Sequence, residues 1–166
     1  MVRQTRWRAV MLSAALIGAV FTAPTHAEES KIDEHFLLLM GARNAAKAGK
    51  HETAIARYRR LLEHRPSYPD AGQEFGWALV AAGRIQEAEE QFRIILQTNP
   101  KDIEAWKGLL EAARKGGKQH EILKSLERLV ELEPARRDLR MQLALELHNR
   151  GRFAEAEAHI VILLGE

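Results

Sequence analysis

The sequence predicts an all-α fold made by stacking copies of one antiparallel helix pair. Glycines recur at one constant interval, at Gly49, Gly83, Gly117 and Gly151. Prolines keep the same interval, at Pro66, Pro100 and Pro134. Turns demand particular residue types, while helix surfaces tolerate many. Two turn-forming residue types that share one period therefore indicate a repeated helix-turn-helix unit.

Residues 69–102 show this unit most plainly. Phe75, Gly76 and Leu79 fall on one stripe of a first helix, and Ala88 and Phe92 fall on one stripe of a second helix. Gly83 lies between the two stripes, and a proline ends the second helix. The segment therefore predicts two amphipathic helices joined by a short turn.

The period and the spaced small residues resemble the tetratricopeptide repeat (TPR) family, whose helix pair recurs every ~34 residues. First helices have small residues at Ala42, Gly76 and Ala144, and second helices have them at Ala54, Ala88 and Ala156. The third repeat supplies the tryptophan of the family, Trp106, followed by Leu109. The resemblance implies a right-handed α-solenoid of antiparallel helix pairs, with one concave groove as the usual binding surface.

Laid over the chain, the period predicts a TPR domain over residues 35–166. Its repeats span residues 35–68, 69–102, 103–136 and 137–166, the last one truncated, and residues 28–34 form a short polar lead. The first helix is expected to begin at Phe36. This pattern is compatible with a complete chain and with the front of a larger protein.

Residues 1–27 have the features of a secretory signal peptide. Arg3, Arg6 and Arg8 precede an apolar run over residues 9–23, and Thr25-His26-Ala27 suits cleavage after Ala27. The alternative is a retained anchor, but the run is shorter than the roughly 20 residues that a spanning helix needs. We therefore expect export to the periplasm and no membrane insertion after cleavage.

Composition and motifs argue against other classes. Loss of the three signal arginines leaves 22 basic and 23 acidic residues, so the mature chain has a net charge of −1 and no basic run for nucleic acid. No cysteine is present, no two histidines have i, i+4 spacing, and no nucleophile or phosphate-loop motif occurs. The sequence predicts a non-enzymatic protein without metal or cofactor.

The TPR resemblance places a partner-binding groove on the inner faces of the first helices. The predicted groove residues are Arg43, Lys47, Gln73, Trp77, Lys107, Glu111, Arg114, Met141, His148 and Asn149. Trp77 is expected to face the groove, although it could instead pack on the next repeat. The carboxylate clamp of the family is not carried over, because Arg43 and Trp77 replace its asparagines. The expected ligand is a protein or peptide segment with an apolar anchor flanked by acidic groups.

The two ends of the stack are a second candidate surface. Apolar residues there are Phe36, Leu39 and Met40 at the first end and Val161 and Ile162 at the last. Two functions remain open at this stage. One is a periplasmic adaptor in envelope assembly or secretion, and the other is a structural module or homo-oligomer in an outer-membrane export or polysaccharide-secretion complex that docks through these ends.

Overall fold

The computed structural model describes residues 26–68 and 70–165, with side chains from residue 34 onward. Residues 34–166 form one compact unit. The predicted signal peptide, residues 1–27, lies outside the described residues except for the first two residues of the first helix. The helix pairs lie within residues 34–166, except for the beginning of the first helix.

The described residues are all-α and form four consecutive helix pairs, which confirms the predicted class. The helices are α1 (His26–Lys47), α2 (His51–His64), α3 (Ala71–Ala81), α4 (Ile85–Thr98), α5 (Ile103–Lys115), α6 (Gln119–Leu132), α7 (Arg137–Asn149) and α8 (Phe153–Leu164). Helix α1 begins well before Phe36, at His26, so the stretch expected as a polar lead is helical. The apolar pattern could not show this, because residues 28–34 carry no stripe.

Each pair turns at a glycine in the left-handed region. Gly49 has φ of 70° and Gly83 has φ of 77°, and Gly117 and Gly151 have 65° and 75°. Residues with a side chain are strained at such φ values, so glycine is favoured there. The constant spacing of the glycines therefore marks the turn in every helix pair.

The core consists of two clusters that share α5. Ala105 and Leu109 on one face of α5 join the cluster formed by α1 to α4, and Leu110 and Ala113 on the other face join the cluster of α6 to α8. Trp106 is half-buried and packs against both clusters. Its indole Nε1 donates a hydrogen bond of 3.0 Å to the Pro100 carbonyl. Helix α5 therefore couples the two halves of the stack.

Small residues let helices approach at the centre of the stack. A Cβ added at Gly76 would lie 2.6 Å from the Phe92 ring, and one added at Gly108 would also lie under 3.0 Å from it. Phe92 has no exposed surface. Its ring thus fills the space between α3 and α5 that the two glycines leave open.

Candidate binding groove

The first helices line two cavities that meet at Trp77. Its side chain is 36% exposed and contributes to the walls of both. The indole contacts the buried Phe92 ring edge to face, with centroids 5.7 Å apart. Because its inner edge packs on a buried ring, Trp77 is a fixed, partly exposed aromatic between the two cavities.

The first cavity lies between α1, α2 and α3 and has a volume of about 550 Å³. Its apolar wall consists of Ala46, Ala78, Ala81 and Trp77. Polar side chains surround this wall, namely Arg43, Lys47, His51, Tyr58 and Glu74. The cavity has the size and the mixed lining of a site for one apolar side chain with polar neighbours.

The charge of Arg43 is paired with an acid of the next repeat. Its Nε and Nη2 atoms donate hydrogen bonds of 2.6 to 3.0 Å to the Glu74 carboxylate. Tyr58 donates a further hydrogen bond of 2.8 Å to the same carboxylate. Burial alone would raise the pKa of Glu74, but the hydrogen bonds from Arg43 and Tyr58 outweigh burial and hold that pKa below its ordinary value. Burial, with the adjacent Glu74, raises the pKa of Tyr58.

The second cavity lies between α3, α5 and α7 and has a volume of about 480 Å³. Arg114 donates a hydrogen bond of 2.6 Å to the neutral side chain of Gln142, so its charge is not cancelled by that contact. Lys115 lies 3.4 Å from the Val80 carbonyl, which is also neutral. Both cations line this cavity together with one predicted groove acid, Glu111.

Other cations of the second cavity have acidic partners. Lys107 lies 2.9 Å from Glu104 and 3.8 Å from Glu133. Arg136 donates hydrogen bonds to Asp138 and lowers the pKa of that carboxyl group to about 2. The net positive character of the cavity therefore rests on Arg114 and Lys115.

The structure places four predicted groove residues outside the two cavities. Gln73 donates to the carboxylate of Asp102, 3.0 Å away, and Asp102 caps α5 by accepting a hydrogen bond from the Ala105 backbone. Gln73 thus supports the start of α5. The others are on α7, at Met141, His148 and Asn149, and all three are exposed. The His148 ring contacts Phe153, with centroids 5.1 Å apart.

The apolar end residues differ in exposure, and one prediction was wrong. Phe36 and Met40 are 54% and 37% exposed, and Val161 and Ile162 are 36% and 54% exposed. Leu39, however, is 6% exposed and belongs to the core. Leu39, Ala42 and Ala45 are buried on the face of α1 that packs into the core, whereas Phe36 and Met40 are exposed.

Sequence reasoning missed His51, Tyr58, Glu74 and Lys115 as groove residues. Tyr58 is buried, yet its hydroxyl group reaches Glu74. A signal for this pair exists, since the equivalent positions of the next repeat hold Phe92 and Gly108. The hydroxyl group and the carboxylate occur together between the first and second repeats, and neither is present between the second and third.

Features of a metal site and of a membrane span are absent from the described residues. They contain no cluster of histidine and acidic side chains arranged to hold a metal ion. Among their helices, none combines the length and apolar character needed to span a bilayer.

Comparison with known proteins agrees with the helix-pair architecture. The profile of the tetratricopeptide repeat family matches residues 45–113, which run from the end of α1 into α5 and include the turns at Gly49 and Gly83. The chain therefore carries tetratricopeptide repeats over residues 45–113. The TPR architecture is typical of non-enzymatic scaffolds for protein interaction.

Solved structures with the same TPR fold include MamA. One MamA crystal structure superimposes with a TM-score of 0.70 at 15% sequence identity, over 84% of this chain and 81% of that one. MamA from Desulfovibrio magneticus RS-1 gives a TM-score of 0.66 at 19% identity, over 84% of this chain and 78% of that one. None of the curated proteins is significantly similar in sequence.

Proposed function

We propose that this TPR protein is an exported, periplasmic adaptor that holds a segment of another envelope protein in its groove. The segment has an apolar anchor flanked by acidic residues. Holding such a segment serves the assembly of the envelope or secretion through it. The protein acts by binding and positioning this segment.

The observation that carries the proposal is the setting of Trp77. An aromatic side chain with one edge packed on a buried ring and another exposed between two cavities is a rigid anchor that loses little conformational freedom on binding. An extended segment lying along the groove would cross Trp77 and place a side chain in each cavity.

The charges of the groove select acidic flanks. Arg43 contributes no free charge because Glu74 already binds it. Lys47 at the first cavity and Arg114 and Lys115 at the second remain for an incoming carboxylate. Charge-assisted hydrogen bonds from these side chains would orient the segment, while the apolar walls supply contact area.

Binding is tested with two synthetic peptides that share one leucine anchor and differ in glutamate or lysine flanks, by isothermal titration calorimetry. The glutamate peptide should bind at least about tenfold more tightly. Trp77→Ala together with Arg114→Glu should remove that binding. Lys124→Glu on the exposed face of α6, a charge change of the same size outside the groove, should leave it unchanged. Equal binding of both peptides, or binding retained by the double variant, would contradict the proposal.

The natural partner is sought with the same variants. The isolated protein and its Trp77→Ala, Arg114→Glu variant serve as baits in an envelope extract, and bound proteins are identified by mass spectrometry. A protein held by the wild type and by Lys124→Glu, but lost by the double variant, would be the groove ligand.

Export is a separate part of the proposal. It rests on the basic, apolar and small-residue segments of residues 1–27. Periplasmic fractionation followed by intact mass measurement should find a chain that begins at Glu28. A cytoplasmic protein with an uncut N-terminus would contradict export and leave the groove proposal standing.

The second candidate is a structural module of an export or polysaccharide-secretion complex. The exposed apolar residues at both ends of the stack favour it, among them Phe36 and Ile162. Binding partners that survive loss of Trp77 but not substitution of Ile162 would support this function instead.

A further inference from the structure

The outer face of α8 holds a residue type that the other repeats bury. Ile160 is 42% exposed. Its equivalents in the three preceding repeats are Leu126, Phe92 and Tyr58, and none is more than 2% exposed. In each of those repeats the first helix of the following repeat packs over this position. The packing between repeats inside the chain therefore shows what kind of surface fits the exposed face of α8.

The opposite half of that contact lies on α1. Leu37 is 67% exposed, whereas its equivalents Ala71, Ala105 and Leu139 are at most 5% exposed. Those three residues start first helices that pack on the second helix of the preceding repeat. The exposed face of α1 is thus equivalent to the surface that α3, α5 and α7 bury, and the exposed face of α8 is equivalent to the surface on which they pack.

The junctions within the chain define which residues meet. At the first, Tyr58 contacts Glu74, and at the second, Phe92 contacts Gly108. In both cases a residue at the Ile160 position of a repeat meets a residue at the Met40 position of the next. Continuing this rule beyond α8 brings Ile160 against Met40 of another α1. Both are apolar, and both are exposed.

Ion pairs also cross the junctions. A basic residue ahead of α4, α6 and α8 reaches an acid on the preceding second helix, and the acid stands at a different repeat position each time, in Arg84 to Glu52, Lys118 to Glu89 and Arg152 to Glu127. The Lys118 to Glu89 distance is 2.7 Å, and Glu89 is buried there. Two repeats after Glu89 the equivalent residue is Glu157 on α8, and two repeats before Lys118 it is Lys50 after α1. Both are exposed.

We propose that α8 of one copy packs on α1 of a second copy, so that the repeat stack continues from chain to chain. Ile160 then lies against Met40 of the second copy, and Glu157 forms an ion pair with its Lys50. The contact is head to tail and leaves an unpaired face at each end, so further copies add in the same way and form open chains or closed rings.

Cysteine pairs test this arrangement directly, because the chain has no cysteine of its own. Met40→Cys and Ile160→Cys are introduced into separate copies of the protein as isolated from cells. The mixture should form a disulfide-linked dimer under mild oxidation, and each variant alone should form far less. Met40→Cys mixed with Ala158→Cys, a residue exposed on α8 whose equivalents Ala56, Glu90 and Lys124 are also exposed, is the matched control.

Each result of the cross-linking either supports or contradicts the head-to-tail contact. A dimer specific to the mixture of Met40→Cys and Ile160→Cys supports the proposal. Dimers formed equally by Ile160→Cys alone would mean that two α8 faces meet symmetrically, and equal linking with Ala158→Cys would mean random collision. Either outcome, or the absence of any link, overturns it.

A charge exchange supplies a second measurement. Sedimentation equilibrium should show association that weakens at least about tenfold in Lys50→Glu or in Glu157→Lys. The chain that carries both substitutions should associate like the wild type, because every head-to-tail contact then has the reversed pair. Far-ultraviolet circular dichroism checks that the variants fold. A wild type that stays monomeric at all concentrations, or a double variant that is weaker than either single one, contradicts the proposal.

Discussion

At the junction between α2 and α3, Tyr58 meets Glu74 through a hydrogen bond of 2.8 Å. At the junction between α4 and α5, the equivalent residues are Phe92 and Gly108, and a buried ring packs against a bare backbone. The helices are arranged alike, so one packing position accepts either a polar network or a closely packed ring. The polar pair at the first junction places a carboxylate in the groove wall, and the ring at the second junction supports Trp77. The first junction thus contributes to the charge of the groove, and the second holds its aromatic side chain in position.

The largest expected effect comes from filling the glycine beneath the Phe92 ring. Gly108→Ala places a Cβ under 3.0 Å from that ring, which cannot retreat because Gly76 lies close on its other side. We expect a loss of about 1 to 3 kcal/mol in the free energy of unfolding, measured by urea denaturation.

A matched glycine is available on α1. A Cβ at Gly41 would also come close to a neighbour, at 2.7 Å, but that neighbour is the movable guanidinium group of Arg57. Gly41→Ala should therefore lie within about 1 kcal/mol of the wild type or be more stable, since alanine favours helix. Gly108→Ala together with Phe92→Leu should recover part of the loss. Equal losses at the two glycines would show that the Phe92 ring is not the obstacle.

The next effect concerns the buried carboxylate at the second junction. Glu89 is 2% exposed and is bound by Lys118, while its other oxygen has no hydrogen-bond partner among the described residues. The same repeat position holds Ile55 and Leu123, both buried. Glu89→Leu should therefore be neutral or stabilising, because it replaces an incompletely satisfied ion by the residue type that neighbouring repeats use.

Removing only the lysine should have the opposite sign. Lys118→Ala leaves the Glu89 carboxylate buried with Arg93 as its remaining partner, at 3.3 Å. We expect a loss of about 1 to 3 kcal/mol, which disappears in the Glu89→Leu background. A cost of Lys118→Ala that is the same in both backgrounds would mean that the ion pair is not its cause.

At the first junction, Tyr58→Phe should cost roughly 1.5 kcal/mol at neutral pH through the lost hydrogen bond to the Glu74 carboxylate. The folded-state pKa of Glu74 lies below its ordinary value, so its contribution to stability is present above the ordinary pKa of 4.5 and is lost as pH falls through the folded value. The difference between wild type and Tyr58→Phe should therefore shrink on acidification below about pH 4.5. Urea denaturation from neutral pH into that range measures it, and a difference independent of pH would assign the hydroxyl group another role.

The sequence predicts the fold well because the repeat is set by local rules. Gly83 needs a positive φ, Gly76 leaves room for Phe92, and a constant period fixes their spacing. The groove is less predictable, because its charge depends on contacts between repeats. Nothing in the period reveals that Glu74 neutralises Arg43, or that Gly108 lies beneath the Phe92 ring. Leu39 was misplaced because the apolar run of residues 36–40 is wider than one helix stripe.

The smallest effect expected is that of the Arg43 charge. The ion pair with Glu74 has a distance of 2.6 Å, but the Arg43 side chain is 37% exposed and water screens it. Arg43→Gln should therefore cost no more than about 1 kcal/mol at low salt, and added salt should reduce that cost. Gly108→Ala, where no charge is involved, should cost the same at both salt concentrations. If the cost of Arg43→Gln did not change with salt, Arg43 would act at the first junction through packing of its aliphatic stem, and the charge of Glu74 would be open to a cationic ligand.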